Sequence, residues 1–249
     1  MQSVVCRLAD INVKINYPYP SFEKFAAGYL VAEGAPPDME ITVSAGDIAR
    51  EREGADAGMV WPDAYLQTLA VYRKFCTAVA SRGILLFHGS AVAAEGKAYI
   101  FAAPSGTGKS THAALWRRVY GEKVRMINDD KPLLRFIEGG IAVYGTPWNG
   151  KHRLGGNFSS PLGGICFLER GKENSIRPLS PREGFPRLLA QCFLPEEESA
   201  AAAALGLAQR LARETPLHLL ACNISEEAAR LSYAALTGKG DGKKPTEQT

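Results

Sequence analysis

The chain has 249 residues, enough for one or two domains and a real hydrophobic core. Apolar residues make up 46% and charged residues 22%, which excludes disorder across the whole chain, and 25 glycines without a three-residue period exclude collagen. With 29 basic against 26 acidic residues, the net charge of +3 is too even to point by itself to a nucleic-acid or membrane partner.

Residues 1–60 alternate short strand-like and helix-like pieces: strands at 4–8, 11–15 and 39–43, helices at 22–31 and 47–53. Pro62 opens a helix whose apolar face is Tyr65, Leu69, Tyr72, Cys76 and Val79, and Gly83 stops it. Strands are expected at 84–88, 91–94 and 97–101, with a Glu95-Gly96 turn between the last two. A glycine-rich stretch at 103–110 leads into a helix at 110–120 that ends at Gly121. A strand at 124–127 ends in Asn128-Asp129-Asp130, and strands at 133–137 and 141–144 flank a Gly139-Gly140 turn as a hairpin. A buried strand at 165–169, helices at 184–193 and 196–213, a strand at 217–221 and a Ser225-capped helix at 225–236 complete the pattern. The expected organisation is a small N-terminal α+β segment with its leading helix (1–82), an α/β domain (83–237) and a disordered tail (238–249).

Five cysteines at long spacings, odd in number and without a CxxC, argue against a disulfide framework or a zinc site. The opening MQSVVCRLADINVK has no basic region followed by an apolar one. The apolar runs fall far short of the roughly 20 residues that cross a bilayer. A cytoplasmic protein with neither nucleic acid nor membrane as partner is expected.

The decisive stretch is FAAPSGTGKST at 101–111. It fits G-x-x-x-x-G-K-[ST] except at the first position, where Ala103 stands. Gly106 and Gly108 let successive backbone N–H groups turn toward phosphate oxygens, and the following helix adds its positive N-terminal end. Ser105, Gly106, Thr107, Gly108, Lys109, Ser110 and Thr111 are therefore the expected nucleotide-binding residues. Lys109 would bring an ammonium to the β- and γ-phosphates, and Ser110 a hydroxyl to Mg²⁺, so ATP and Mg²⁺ are the expected ligands. Ala at the first position is acceptable if that residue needs no positive φ.

Asp129 and Asp130 end a strand about twenty residues after Lys109, at the carboxyl edge where open α/β sheets bind ligands. One carboxylate can serve the metal while the other accepts the proton of an incoming hydroxyl. His88, one hairpin ahead of the loop, is a candidate donor to the γ-phosphate region. Lys151 and Arg153, in the donor-rich stretch TPWNGKHR, are candidates for transferred phosphate or an anionic acceptor. Trp148 in that stretch reads as packing or as a lid over substrate. Arg117 and Arg118 read as surface charge, Cys166 as core, and His112 has no evident role.

The run from His88 to Arg135 resembles the C-terminal catalytic domain of HPr kinase/phosphorylase: a strand with His, a hairpin, a GxSGxGKS loop, a helix, and a strand ending in Asp-Asp. SGTGKST and the Asp-Asp pair also resemble the nucleotide site of ATP-dependent phosphoenolpyruvate carboxykinase, a family thought to share this core. HGSAV, SGTGKST, NDDKPLLR and YGTPW together resemble small bacterial proteins of the HPr-kinase-like group. Some of those lie beside peptide-modification genes, and relatives in lasso-peptide pathways phosphorylate a precursor peptide. The resemblance implies an α/β fold, a P-loop kinase core with a mixed sheet and flanking helices. It also implies Asp129 as the base that activates the acceptor hydroxyl, Asp130 as its metal-side partner, and room for a homo-oligomer. Residues 1–80 do not resemble the family's N-terminal domain. Leu168-Glu169-Arg170-Gly171 is similar to its LExRGxGI signature but one residue short.

Three functions follow from these residues. The first is an ATP-dependent kinase acting on a hydroxyl acceptor, either a Ser of a small protein or peptide or a small molecule. The second is a nucleotide-gated binding or regulatory protein without catalysis. The third is a carboxykinase-type lyase, against which the chain's length argues.

Overall fold

Alternation of apolar residues builds the first sheet. In β2 (Ile11–Tyr17), every second residue is buried, and β1 (Gln2–Leu8) pairs with it antiparallel through a turn at Ala9 and Asp10. β3 (Met39–Thr42) adds in parallel to β2. The structure is a computed structural model, and it describes all residues except 33, 56, 57, 151 and 240–249. The tail expected to be disordered therefore lies mostly outside the described residues.

The helix expected at 22–31 is much shorter. α1 (Ser21–Phe25) buries only Phe22, and a 3₁₀ turn (Ala27–Tyr29) follows. Beyond it Leu30 is extended and bridges Cys6, while the Val31 amide donates to the Val5 carbonyl. Pairing with the edge of β1 wins over continued helix, which Gly28 already weakens. α2 (Ala45–Glu53) starts earlier than expected because Ser44 and Asp47 form a reciprocal capping box.

α3 (Asp63–Val79) packs Leu66, Ala70, Val71, Phe75 and Val79 against this sheet. Its buried face is rotated from the expected stripe, so Tyr65 lies outside it against Trp61. The core beneath α3 continues into Ile84, Leu86, Leu133 and Trp148. Trp148 is packing and not a lid: it is 4% exposed, its Nε1 donates to the Thr68 carbonyl at 2.9 Å, and its ring meets Phe25 and Tyr72. Trp148→Ala is expected to destabilise the fold by roughly 3–5 kcal/mol, measured by urea unfolding.

The second sheet is mixed. Its strands are β4 (Ile84–Leu86), β5 (Ser90–Ala94), β6 (Lys97–Ala102), β7 (Val124–Asn128), β8 (Leu133–Ile137), β9 (Gly140–Tyr144), β10 (Ser159–Arg170), β11 (Ser175–Leu179) and β12 (Leu217–Cys222). The order is β4-β8-β9-β10-β6-β5-β7, with β12 on β10 and β11 on β12. β10 joins the parts: its start runs antiparallel to β9, and its later residues run parallel to β6 and β12. Only its buried end was expected as a strand, because Ser159 to Gly164 lacks apolar alternation. β11 was not expected at all. It is short, carries Pro178 and pairs only with β12, as suits an edge. The strand expected at 84–88 stops at Leu86, after which the Phe87 amide turns to the Pro132 carbonyl.

Helices α4 (Lys109–Tyr120), α5 (Pro181–Leu189), α6 (Glu198–Glu214) and α7 (Glu226–Thr237) flank the sheet. α5 begins three residues before its expected start because Ser180 and Glu183 cap it, and it ends earlier, in a turn that carries Cys192 to a bridge with Phe87. Among the described residues no helix is long and apolar enough to cross a membrane.

α4 is fixed on α7 by Ser232, which accepts from Trp116 Nε1 at 2.8 Å and lies 2.9 Å from His112 Nε2. Burial pushes the His112 ring down from 6.5 to about 4. The ring is neutral in both states above its ordinary value. As pH falls from there, the unfolded chain takes up a proton that the folded chain refuses. Stability should drop by about 2 kcal/mol between pH 7 and pH 5 through this ring alone. Urea unfolding of wild type and His112→Gln at both pH values checks this, and the variant should lose correspondingly less.

Candidate active site

The apolar strand β6 delivers the chain into the loop at Ala103. Gly106 has φ +74° and Gly108 φ +120°, and nothing lies within 4 Å of a Cβ built on either, so backbone conformation demands glycine there. Ala103 needs no positive φ, which explains why a residue other than glycine serves. Its contribution is its carbonyl, which accepts from Lys109 Nζ at 2.9 Å. Lys109 opens α4 and is 8% exposed; burial lowers its proton affinity and the nearby Asp130 opposes that. Ser110 Oγ lies 3.5 Å from Ser90 Oγ, which in turn donates to the Asp129 carbonyl at 3.2 Å.

Asn128, fully buried at the end of β7, shapes the acidic pair. Its Oδ1 accepts from the amides of Asp130 at 2.8 Å and Lys131 at 2.6 Å, and its Nδ2 donates to the carbonyl and hydroxyl of Thr146. Asp129 is 4% exposed, and its Oδ1 accepts from the Gly150 amide at 2.6 Å. A Cβ at Gly150 would sit 3.1 Å from Asp129 Oδ2, so the approach favours glycine. Burial raises the proton affinity of Asp129 and outweighs the Gly150 amide. In Asp130 burial also pushes upward, but the hydrogen bond from His88 and the charge of Lys131 prevail and hold the carboxyl below its ordinary value. Adjacent carboxylates are thus driven apart, as groups with separate acid–base and ligand roles are.

His88 Nε2 lies 3.3 Å from Asp130 Oδ1, and Lys131 Nζ bonds Oδ2 of the same carboxylate. The structure therefore places His88 on Asp130. Ser105, Gly106, Gly108, Lys109, Ser110 and Thr111 share one open cleft of about 630 Å³ with His88, Asp129 and Asp130. Thr107 lines an adjoining cavity of about 350 Å³, with Thr111, Leu115, Leu168, Arg170 and Ile224.

Of the basic stretch, Lys151 lies outside the described residues. Arg153 sits in an exposed turn at φ +49°, its amide on the Gly150 carbonyl, while its neighbours His152 and Leu154 line the cleft. Arg117, read as surface charge, lines the cleft instead. Seven residues beyond Ser110 it falls on the same helix face, a spacing that could have flagged it. Arg170, named in the Leu168-Glu169-Arg170-Gly171 stretch without a role of its own, donates from its guanidinium to the Gly106 carbonyl at 2.8 Å and braces the loop. Glu169 beside it pairs with Arg187 at 2.8 Å.

The expected metal can be tested against the donors present. Among the described residues no group of three or more His, Cys, Asp or Glu side chains is poised for a metal ion. Mg²⁺ needs no such cage, because it is held by one or two carboxylates together with substrate phosphates. The low-affinity carboxyl of Asp130 and the hydroxyl of Ser110 on the same cleft are hard oxygen donors of that kind.

No protein-family model and no curated protein matches the chain. Among solved structures it is similar to the Hpr(Ser) kinase/phosphatase from Coxiella burnetii. That likeness has 10% sequence identity and a TM-score of 0.35, and covers 61% of this chain and 97% of that one.

Proposed function

We propose that this protein is a Mg-ATP-dependent phosphotransferase that moves the γ-phosphoryl group to a hydroxyl acceptor. One observation carries the reading. A phosphate loop with its lysine shares a cleft with two adjacent carboxylates whose proton affinities are shifted in opposite directions, Asp129 upward by burial and Asp130 downward by His88 and Lys131.

The triphosphate lies along the loop, where the backbone amides and the N-terminus of α4 meet its charge. The adjoining cavity, with Leu115, Leu168 and Ile224 on its wall, takes the nucleoside. Ser110 and Asp130 would hold Mg²⁺, which would supply charge neutralisation of the phosphates. His88 is a positioning residue that fixes the Asp130 carboxylate. Asp129 accepts the proton of the acceptor hydroxyl as the new oxygen–phosphorus bond forms. The bond from the γ-phosphorus to the bridging oxygen breaks, and ADP leaves with that electron pair. Lys109 meets the charge on the transferred oxygens.

Incubation with γ-labelled ATP, Mg²⁺ and fractionated lysate tests the reading. Label should move to a hydroxyl-bearing acceptor, and chelation of Mg²⁺ with EDTA should stop it. Tight ATP binding with no transfer to any fraction would sink the proposal and favour a nucleotide-gated binder.

A further inference from the structure

A third pocket, of about 280 Å³, opens beside the start of the phosphate loop. Ala103 and Pro104 form one side, the end of β10 at Phe167 another, and Pro186 and Ala190 of the α5 region close it. Its wall is mostly apolar, and the exceptions are Gln191 and Arg187, whose guanidinium is paired with Glu169 at 2.8 Å. Gln191 is 9% exposed, and its Oε1 has no hydrogen-bond partner among the described residues. A buried amide oxygen without a donor is costly, and it becomes satisfied when a ligand supplies an N–H or O–H.

Position gives the pocket its meaning. The Gln191 carbonyl accepts from the His88 amide at 2.7 Å, so the residue that lines this pocket also anchors a residue of the main cleft. The nucleoside cavity touches the loop at residues 106–108, whereas this pocket touches it at residues 103 and 104. The two meet the loop at different residues and share Leu168 on their walls. A group held in the third pocket lies one loop residue from Ser105 of the main cleft and one hydrogen bond from His88, within reach of the site where the acceptor hydroxyl must react.

Size narrows the occupant. At about 280 Å³ the pocket falls just below the roughly 300–1,000 Å³ of sites that enclose a whole small-molecule ligand. It suits one large apolar side chain with its adjoining peptide N–H. We infer that this pocket recognises the phosphoryl acceptor by an apolar residue next to the reacting hydroxyl, with the Gln191 amide turning its buried Oε1 to accept from that residue's backbone N–H. The inference rests on the phosphotransferase reading for its role, but the binding itself can be measured apart from it.

Direct binding of N-acetylated, C-amidated dipeptides tests the inference by saturation-transfer NMR, with and without Mg²⁺ and a non-hydrolysable ATP analogue. Ser-Leu should bind about tenfold or more tightly than Ser-Asp or Ser-Lys. It should also bind more tightly than 3-methylbutan-1-ol, which carries the same apolar group without the peptide. Ala190→Trp, at an exposed position after α5, fills the pocket and should remove Ser-Leu binding. Gln191→Leu should weaken it about tenfold while the melting temperature confirms a folded chain. Three results overturn the inference: no dipeptide bound, Ser-Asp bound as well as Ser-Leu, or Ser-Leu binding unchanged in Ala190→Trp. Equal binding of the alcohol overturns the peptide assignment. Dipeptide binding to a wild-type protein that takes up no ATP analogue would sink the phosphotransferase reading and leave the pocket standing.

Discussion

Lys109→Ala is expected to lower phosphoryl transfer by about a thousandfold or more while leaving the protein folded. The expectation follows from how this lysine is held. It opens α4 directly after Gly108, its ammonium bonds the Ala103 carbonyl, and it is nearly buried on the cleft wall. Anchored to the first residue of the loop, the ammonium lies where phosphate charge would gather. Burial already lowers its proton affinity, so an incoming polyanion restores a favourable environment for the charge. Removal leaves the loop amides in place but takes away the one fixed cation that opens α4. The fold loses only a single hydrogen bond, on the order of 1 kcal/mol. Lys109→Arg should not rescue transfer, because a planar guanidinium does not fit a site built around a compact ammonium. Titration with a fluorescent ATP analogue and labelled-phosphate transfer together check this. Transfer within tenfold of wild type in Lys109→Ala would mean that the loop does not hold the reacting phosphates.

The parts of this site that could be read from sequence are those whose chemistry is local. FAAPSGTGKS specifies strand, turn and helix within a dozen residues, and Asp129-Asp130 stand side by side at a strand end. What could not be read depends on contacts between distant residues. Arg170 braces Gly106 across 64 positions, and Gly150 meets Asp129 across 21. Neither spacing has a periodicity to announce it. Asn128 looks like the first polar residue of a turn, yet its burial and four hydrogen bonds make it the keystone of that turn. Trp148 sits in a stretch of donors, and only the packing of α3 against it shows an aromatic of the core. The same reason explains the short α1: helix propensity at 26–31 is overridden by pairing with β1, a contact no local window contains.

Asp129→Asn is expected to keep ATP and lose transfer, by about 10²–10⁴-fold. The two carboxylates are neighbours in the chain but not in environment. Asp129 is nearly buried, with one oxygen on the Gly150 amide, and its proton affinity is raised. Asp130 is partly exposed, gripped by His88 and Lys131, and its proton affinity is lowered. A base needs affinity for the proton it takes, whereas a metal ligand must stay ionised beside a cation. Asn at 129 retains a carbonyl oxygen for the Gly150 amide, so the loop around it should keep its shape, but that oxygen cannot carry the proton away. Asp130→Asn should behave differently: its defect should ease as Mg²⁺ is raised, because what it loses is a metal ligand. The pair of variants decides between the two assignments. Recovery of Asp129→Asn by added Mg²⁺, with Asp130→Asn unresponsive, would exchange the roles of the two carboxylates. Loss of ATP affinity in Asp129→Asn equal to its loss of transfer would make Asp129 a ligand rather than a base. Transfer at wild-type rate in Asp129→Asn would place the base elsewhere. His152 is the next candidate, because it is the other titratable side chain that lines the cleft from the Gly150 side.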